Sequence, residues 1–281
     1  MWELYEIDEQ LRIKGFYSLF ECKYDTEYSF PGETHNFWEC LYVIDGSVCA
    51  SGDERVYDLS KNEMIFHKPM ELHKFYITGN KPAQLLIFSF DVSGVFMNFF
   101  EKKAFRLTEE QNRIMRSLLG FLRDKVEHEA VDIHNPRLYL EVFNEGKTYS
   151  QMVAAIIEQL FLSFHEKNAE AITVNTSETR VFRKAINVMN SCIGQWLTVT
   201  DIADKCNISS TQLKRIFHKY ASFGVHKYYL KLKIKMACAM LGDGKSIGEI
   251  SDELGFCNQN YFSTVFKRET GMAPLEYKKN M

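Results

Sequence analysis

Residues 197–220 read LTVTDIADKCNISSTQLKRIFHKY, and residues 245–269 read KSIGEISDELGFCNQNYFSTVFKRE. Matching positions lie 48 residues apart up to Asn207 and Gly255, and 49 apart from Ser209 and Asn258 onward. The second copy therefore contains one additional residue, at a point where a turn would tolerate it. Two copies with a period near 50 indicate a duplicated supersecondary unit, not a long repeat array.

Each copy predicts a helix, a tight turn and a second helix. Asn207 and Gly255 suit a left-handed turn position, and Ser209 and Asn258 are good N-caps for the helix that follows. This is the helix-turn-helix arrangement, whose second helix can enter the major groove of DNA. Apolar residues of the first copy recur at helical spacing on one face: Val199, Ile202, Ala203 and Cys206.

The positions left facing outward carry side chains that can contact base edges. Arginine and lysine pair with guanine, glutamine and asparagine pair with adenine, and threonine can contact the thymine methyl group. The alternative is an ordinary solvated helix face, but matching patterns in two copies favour DNA recognition. The outward residues are Ser210, Thr211, Gln212, Lys214, Arg215 and His218 in the first copy, and Gln259, Asn260, Ser263, Thr264 and Lys267 in the second.

The charge of the chain is divided between its two parts. The overall net charge is −3, but residues from 179 onward hold 16 Lys and Arg against 8 Asp and Glu. This basic segment favours a polyanionic partner. A composition of 46% hydrophobic and 25% charged residues is typical of a globular protein. No membrane span or secretory signal is expected, and seven scattered cysteines suggest reduced thiols in the cytoplasm.

Between the two copies, residues 224–242 predict one continuous helix. About 17 residues would span about 25 Å at 1.5 Å per residue, which would separate the two second helices by roughly one DNA turn, ~34 Å. Its apolar stripe is expected to contain Tyr228, Leu232, Met236, Ala239 and Met240. A basic row either contacts phosphates or is solvated: Lys227, Lys231 and Lys235.

Residues 180–279 resemble the DNA-binding domain of the AraC/XylS family of transcription regulators. The resemblance implies seven helices forming two helix-turn-helix units on successive major grooves. It implies base contacts by Thr211, Lys214 and Arg215 in the first unit and by Gln259, Asn260 and Thr264 in the second. The resemblance is carried by Tyr228, Lys233, Ala237, Leu241, Ile247, Ile250, Gly255, Phe256, Tyr261, Phe262, Phe266, Lys267, Gly271, Pro274 and Tyr277.

The chain departs from the family pattern at two positions. Lys233 stands where the family usually has arginine, and lysine forgoes bidentate pairing. Thr264 stands where arginine is frequent. The second unit is therefore expected to read bases weakly and mainly to position the protein.

The N-terminal part predicts a β-sandwich or β-barrel. Short apolar runs separated by turn residues fall at 36–44, 47–51, 55–59, 63–67, 73–78 and 84–90. The array His35-x3-Glu39-x6-Gly46, followed by Pro69-x3-His73, resembles the cupin-type sensor domain at the front of many family members. Glu33 occupies the place of the first histidine of metal-binding cupins, and Asn62 replaces an expected glycine.

Polar residues of this part could meet in the mouth of the barrel. A strand over 35–43 would place His35, Glu39 and His73 together if its polar face points inward. They could anchor a small ligand, hold a divalent metal, or be buried without a ligand. We adopt the first interpretation, with no metal or other cofactor. The predicted effector-binding residues are His35, Phe37, Glu39, Phe66, His73 and Tyr76.

Residues 94–165 predict helices that cover the barrel. Thr108-x-x-Gln111 is a capping box, and 149–165 carries a wide apolar stripe. By the family resemblance, one helix also forms the seam of a homodimer. Asn175-x-x-Glu178 is expected to cap a helix over 177–190. The expected domains are an effector-binding and dimerisation domain (1–168), a linker (169–176) and a DNA-binding domain (177–281).

The sequence thus predicts an α+β protein of two domains. The first is a cupin-like β-barrel with flanking helices, and the second is an all-α domain of two helix-turn-helix units joined by a long helix. The expected function is a ligand-responsive, sequence-specific regulator of promoter DNA that senses a small metabolite such as a sugar. RNA polymerase is an expected further partner, as for an activator, and the sequence leaves both activation and repression open. The alternatives are a cupin metalloenzyme with an appended DNA-binding module, and a constitutive DNA binder without an effector.

Overall fold

The computed structural model describes residues 2–101, 104–125, 135–143, 146, 148–164, 173–221 and 223–279. Contacts divide the chain into two units, Met1–Val174 and Asn175–Met281. The expected domain end at residue 168 and the linker residues 169–172 lie outside the described part of the chain.

The first unit is built from two antiparallel sheets. One has the order β1-β7-β2-β5-β8 and the other the order β4-β3-β6. The predicted alternation of strands and turns is confirmed, although β2 begins at Trp38 and not at residue 35. The strands are β1 (Arg12–Tyr24), β2 (Trp38–Asp45), β3 (Ser47–Gly52), β4 (Arg55–Ser60), β5 (Glu63–His67), β6 (His73–Ile77), β7 (Ala83–Ser93) and β8 (Ala104–Arg106).

The alternation of side chains along each strand separates two apolar cores. Cys40, Tyr42 and Phe66 belong to the core that also contains helical residues. Leu41 and Val43, their neighbours along β2, belong to the core shared with the three-stranded sheet. The five-stranded sheet therefore has helices on one face and the smaller sheet on the other.

Helices α1 (Glu109–Lys125), α2 (Leu138–Val142) and α3 (Tyr149–Leu162) follow a 3₁₀ helix at Val95–Phe100. The predicted capping box is confirmed: the backbone N–H of Thr108 donates to Gln111 Oε1 at 2.9 Å, and the N–H of Gln111 donates to Thr108 Oγ1 at 3.3 Å. Phe161 of α3 lies 5.2 Å from Phe66, ring centre to ring centre. This ring contact packs α3 against the five-stranded sheet.

The second unit contains helices only, within the residues described. They are α4 (Ser177–Ser191), α5 (Val199–Cys206), α6 (Ser210–Tyr220), α7 (Val225–Gly242), α8 (Ile247–Glu253), α9 (Gln259–Thr270) and α10 (Pro274–Lys279). The cap of α4 is Thr176 with Thr179, one residue later than predicted for Asn175 and Glu178. This shift leaves the carboxylate of Glu178 available for other partners.

The duplication is visible in the backbone hydrogen bonds. Asn207 and Gly255 both adopt left-handed φ values, 60° and 65°. The N–H of Ile208 donates to Ala203 O at 3.1 Å, and in the second copy the N–H of Phe256 donates to Ser251 O at 2.9 Å. Capping by Ser209 and Asn258 is also confirmed. The prediction of two equivalent helix-turn-helix units is therefore correct.

Helix α7 spans 18 residues, as expected for the helix between the two units. Its predicted apolar stripe is wrong at Met236, which is 44% exposed, and at Ala239, which is also exposed. Lys231 does not belong to a solvated basic row, because its Nζ lies 3.3 Å from Glu269 and both side chains are largely buried. Lys227 is exposed.

Lys233 is a buried cation at the centre of the second unit. Its ammonium group donates to the carbonyl oxygen of Ile193, to that of Gln195 at 2.7 Å and to that of Leu254 at 2.6 Å. Ile193 and Gln195 precede the first helix-turn-helix, whereas Leu254 lies in the turn of the second. All three donors of lysine are used, so the bidentate geometry of arginine is not required here. Burial lowers the pKa of Lys233 to about 8.

Candidate ligand cavity and nucleic-acid interface

A cavity of about 280 Å³ opens between the two sheets of the first unit. Aromatic side chains form much of its wall, and polar groups lie at one side. This combination is typical of sites for small organic molecules. Its lining residues are Tyr17, Ser18, Phe20, Tyr24, Phe30, Glu33, His35, Phe37, Glu39, Phe75, Ile87, Ser89 and Pro136.

The polar side of the cavity is a cluster of two histidines and two glutamates. Oε2 of Glu39 lies 3.6 Å from Nε2 of His35, and Oε1 of Glu39 lies 3.3 Å from Nε2 of His73. Oε1 of Glu33 lies 3.6 Å from the same His73 nitrogen. The predicted convergence of His35, Glu39 and His73 is therefore present, and Glu33 joins them.

The other polar atoms of the cluster are fixed by hydrogen bonds. Nδ1 of His35 lies 3.0 Å from Phe37 O, and Nδ1 of His73 lies 3.1 Å from Glu71 O. The hydroxyl of Ser89 donates to Glu39 Oε2 at 3.1 Å. These partners hold both rings and the carboxylate in place.

The electrostatics of the cluster favour charged groups. Burial alone would raise the pKa of Glu39, but contacts with His35 and His73 outweigh it and hold that pKa below its ordinary value. Burial would lower the pKa of His73, but Glu33 and Glu39 outweigh that effect and raise it to about 10. The two carboxylates therefore stabilise positive charge at Nε2 of His73.

Two of the predicted effector-binding residues do not line the cavity. Phe66 faces the helices, with its ring centre 4.2 Å from that of Phe100. Tyr76 is not a cavity residue either, because β6 alternates and places Phe75 on the inner face. His35, Phe37 and Glu39 line the cavity, and His73 lies behind them against Glu39.

His67 is buried behind the cluster and does not line the cavity. It is 2% exposed, and its Nδ1 lies 3.2 Å from Glu71 Oε1. Burial lowers the pKa of His67. The ring stacks on His73 at 4.4 Å and so supports the cluster from behind.

In the second unit, α6 presents the predicted polar face to solvent. Leu213, Ile216 and Phe217 are buried against the neighbouring helices. Ser210 is half-buried, and its hydroxyl donates to Thr200 Oγ1 at 3.4 Å. The rest of the predicted set is exposed: Thr211, Gln212, Lys214, Arg215 and His218.

A glutamate of α4 contacts two of the cations on α6. Oε1 of Glu178 lies 2.9 Å from a guanidinium nitrogen of Arg215, and Oε2 lies 2.8 Å from Nζ of Lys219. Contact with Lys219 is the main cause that lowers the pKa of Glu178. Sequence reasoning missed this pairing, since Glu178 and Arg215 lie 37 residues apart.

Helix α9 presents Gln259, Asn260, Thr264 and Lys267 to solvent, while Ser263 is half-buried. The hydroxyl of Thr264 donates to Asn260 O at 2.9 Å. This bond commits the hydroxyl proton of Thr264 to its own helix, which leaves the methyl group for contact with a base.

Two family models match the chain. The model of the AraC-like ligand-binding domain matches residues 18–133, and that of a helix-turn-helix domain matches residues 202–280. The chain thus combines an AraC-like ligand-binding domain with an AraC-type helix-turn-helix domain. The first match contains every cavity residue except Tyr17 and Pro136. The second match contains both α6 and α9.

The relatives of this chain are named as regulators. The Msm operon regulatory protein of Streptococcus mutans is 26% identical over 92% of this chain and 90% of its own length. The transcriptional activator RhaR of Escherichia coli is 22% identical over 89% and 87%. These names identify transcription regulators and not enzymes, so the prediction of a regulator is confirmed and the metalloenzyme alternative is wrong. In the described part of the chain, none of the helices has the length and apolar composition needed to cross a membrane.

Among solved structures, ToxT of Vibrio cholerae bound to an unsaturated fatty acid is similar over 98% of this chain and 97% of its own. The identity is 14% and the TM-score is 0.38.

Proposed function

We propose that this regulator binds promoter DNA through both recognition helices, α6 and α9, and adjusts that binding to a small molecule held in the cavity of the first unit. The observation that carries the DNA part is the duplicated unit: two helices with exposed polar faces at equivalent positions around α7. The proposed base contacts are Thr211, Lys214 and Arg215 on α6, and Gln259, Asn260 and Thr264 on α9. Lys267 is proposed to contact phosphate.

The effector that suits this cavity is a small polar metabolite. The rings of Phe37 and Phe75 offer apolar surface, and Glu33, His35 and Glu39 offer hydrogen-bonding groups. A sugar, with one apolar ring face and hydroxyls around it, has this pattern. The effector must bind one conformation of the regulator better than another, because only differential affinity shifts an equilibrium.

Selection from a randomised DNA library with the full chain tests the DNA part of this proposal. We expect enrichment of a site containing two half-sites about one helical turn apart. If the selection enriches no sequence even at low ionic strength, the proposal of sequence-specific DNA binding is contradicted. A thermal-shift screen of metabolites tests the cavity, since a ligand at 100 times its Kd stabilises the folded state by about 2.7 kcal/mol. A chain that responds to none of them would support the constitutive alternative.

Glu178→Gln is expected to strengthen DNA binding. Arg215 and Lys219 are paired with Glu178, so each must leave this carboxylate before it can contact DNA. Lys219, once free to contact a phosphate, should make the slope of log K against log salt more negative by about 0.9. Titration of a DNA duplex at several salt concentrations measures both effects.

Glu276→Gln is the matched control, because it removes the same charge from an exposed position on α10. A uniform effect of net charge would change both variants equally. Such a result would remove Glu178 as a competitor of DNA.

We further propose that the regulator acts as a homodimer and that α3 forms the seam. Its outward face carries Met152 and Leu162, which are 46% and 50% exposed. The outward face of α1 carries charged residues instead, including Arg113 and Arg116. The dimer would double the DNA contacts, and RNA polymerase is the proposed further partner at the promoter. Sedimentation of the full chain measures its oligomeric state.

A further inference from the structure

Two histidines at the cavity wall each carry a ring nitrogen without a hydrogen-bond partner. In the described part of the chain, Nε2 of His35 and Nε2 of His73 are buried and make no hydrogen bond. The side chain of His73 is only 2% exposed. A buried polar atom without a partner is rare and requires an explanation.

The distances around these nitrogens correspond to a shared cation. The three separations from Nε2 to carboxylate oxygen, 3.3, 3.6 and 3.6 Å, exceed the usual length of a hydrogen bond. Two ligand atoms that are each about 2.1 Å from one tetrahedral ion lie about 3.4 Å apart. The ligand atoms of Glu33, His35, Glu39 and His73 all lie within 4.8 Å of one another. Small side-chain rotations would place all four around one ion.

The remaining contacts of the rings orient them as ligands. Nδ1 of His35 faces the carbonyl of Phe37, and Nδ1 of His73 faces the carbonyl of Glu71. A carbonyl oxygen accepts only from an N–H, so the hydrogen of each neutral ring resides on Nδ1 and the lone pair on Nε2. Histidines that bind metal ions usually have such a backbone or carboxylate partner on the other nitrogen.

We propose that Glu33, His35, Glu39 and His73 bind one divalent transition-metal ion of the first row. Two imidazole nitrogens and two carboxylate oxygens suit Mn²⁺, Fe²⁺, Co²⁺ or Zn²⁺. The sequence favoured polar anchoring of a small ligand over a metal, and Glu33 stands where metal-binding cupins have a histidine, but a carboxylate is itself a ligand for these ions. Because Glu33, His35 and Glu39 line the cavity, vacant coordination positions would face it. This last point rests on the proposed function: an effector with an oxygen anion or adjacent hydroxyls could then coordinate the ion.

The competing occupant of the cluster is a proton on Nε2 of His73, which Glu33 and Glu39 would stabilise. A direct metal titration separates the two. The full chain, freed of metal with a chelator and of any purification tag, is titrated with Co²⁺. The visible absorption of Co²⁺ reports its ligands, so binding at the exposed thiol of Cys257 would be recognised by a thiolate band, whereas Zn²⁺ has no visible bands. We expect one equivalent to bind, with visible absorption bands of a nitrogen and oxygen environment and no thiolate band.

Glu33→Gln is the decisive variant because the carboxylate is 46% exposed, so the fold should tolerate the change. Loss of this ligand should weaken Co²⁺ binding at least about tenfold. Glu27→Gln removes an exposed carboxylate from the same connection between β1 and β2 and should leave the affinity unchanged.

Absence of Co²⁺ uptake by the unsubstituted chain, or equal affinities of the Glu33 and Glu27 variants, would overturn the site and leave a proton on His73 as the occupant. DNA selection is performed separately on the metal-free chain. Failure of the metal site is thereby distinguished from failure of the proposed regulator function.

Discussion

Lys233→Met should unfold the second unit at a much lower temperature than the unsubstituted chain. The substitution leaves three carbonyl oxygens, those of Ile193, Gln195 and Leu254, without their shared cationic donor. Each buried carbonyl oxygen that loses its donor costs about 1–3 kcal/mol, so the three together should cost at least about 3 kcal/mol. At about 4 °C or more per kcal/mol for a domain near 100 residues, Tm should fall by at least about 12 °C. Calorimetry of the full chain measures the transition.

Lys227→Met is the control for that experiment. It removes an exposed lysine from the same helix, whose contact with the Phe223 ring at 5.2 Å is worth about 0.5–1 kcal/mol. Equal Tm values for the two variants would show that the three contacts of Lys233 contribute nothing to stability.

Gly255→Ala should also destabilise the second unit strongly. Gly255 has φ +65°, and an added Cβ would lie 2.2 Å from the backbone oxygen of Gly194. The left-handed conformation costs about 1–3 kcal/mol for residues that avoid it, and the collision forces the two turns apart. We expect a total loss of about 3 kcal/mol or more, because overpacking alone typically costs about 1–3 kcal/mol. Chemical denaturation of the full chain measures the loss.

Two further variants separate the causes. Gly255→Asn relieves the conformational penalty, as Asn207 does at the same position of the first helix-turn-helix, but it retains the collision and should remain unstable. Gly248→Ala adds a Cβ in open space on α8 and should stabilise the helix by about 0.5–1 kcal/mol. A Gly255→Asn variant as stable as the unsubstituted chain would show that the close approach to Gly194 can relax without cost.

The sequence predicted the helical unit well because its determinants are local. Caps at Ser209 and Asn258, and the turn residues Asn207 and Gly255, act within a few residues of their own position. The pairing of Glu178 with Arg215 was not predictable in the same way. It depends on how α4 packs beside α6, and this packing cannot be predicted from residues that are close in the sequence.

The cavity shows both a missed signal and a true limit. His73 and Phe75 share one face of β6, so placing His73 inside already implied Phe75, not Tyr76, in the cavity wall. Phe66 is different. Its direction depends on the register that pairs it with Cys40 of β2 and turns both side chains towards the helices. Strand register across a loop is a non-local property.

The connection between the two units is much shorter than its sequence suggests. Thr173 forms a bridge with Tyr57, and the N–H of Val174 donates to Val56 O at 2.8 Å, so the last residues of the first unit are bound to β4. Thr176 already caps α4. Asn175 is therefore the one residue between these contacts of the first unit and the cap of α4, and inserting glycines beside it tests whether the proposed effector response needs a short connection.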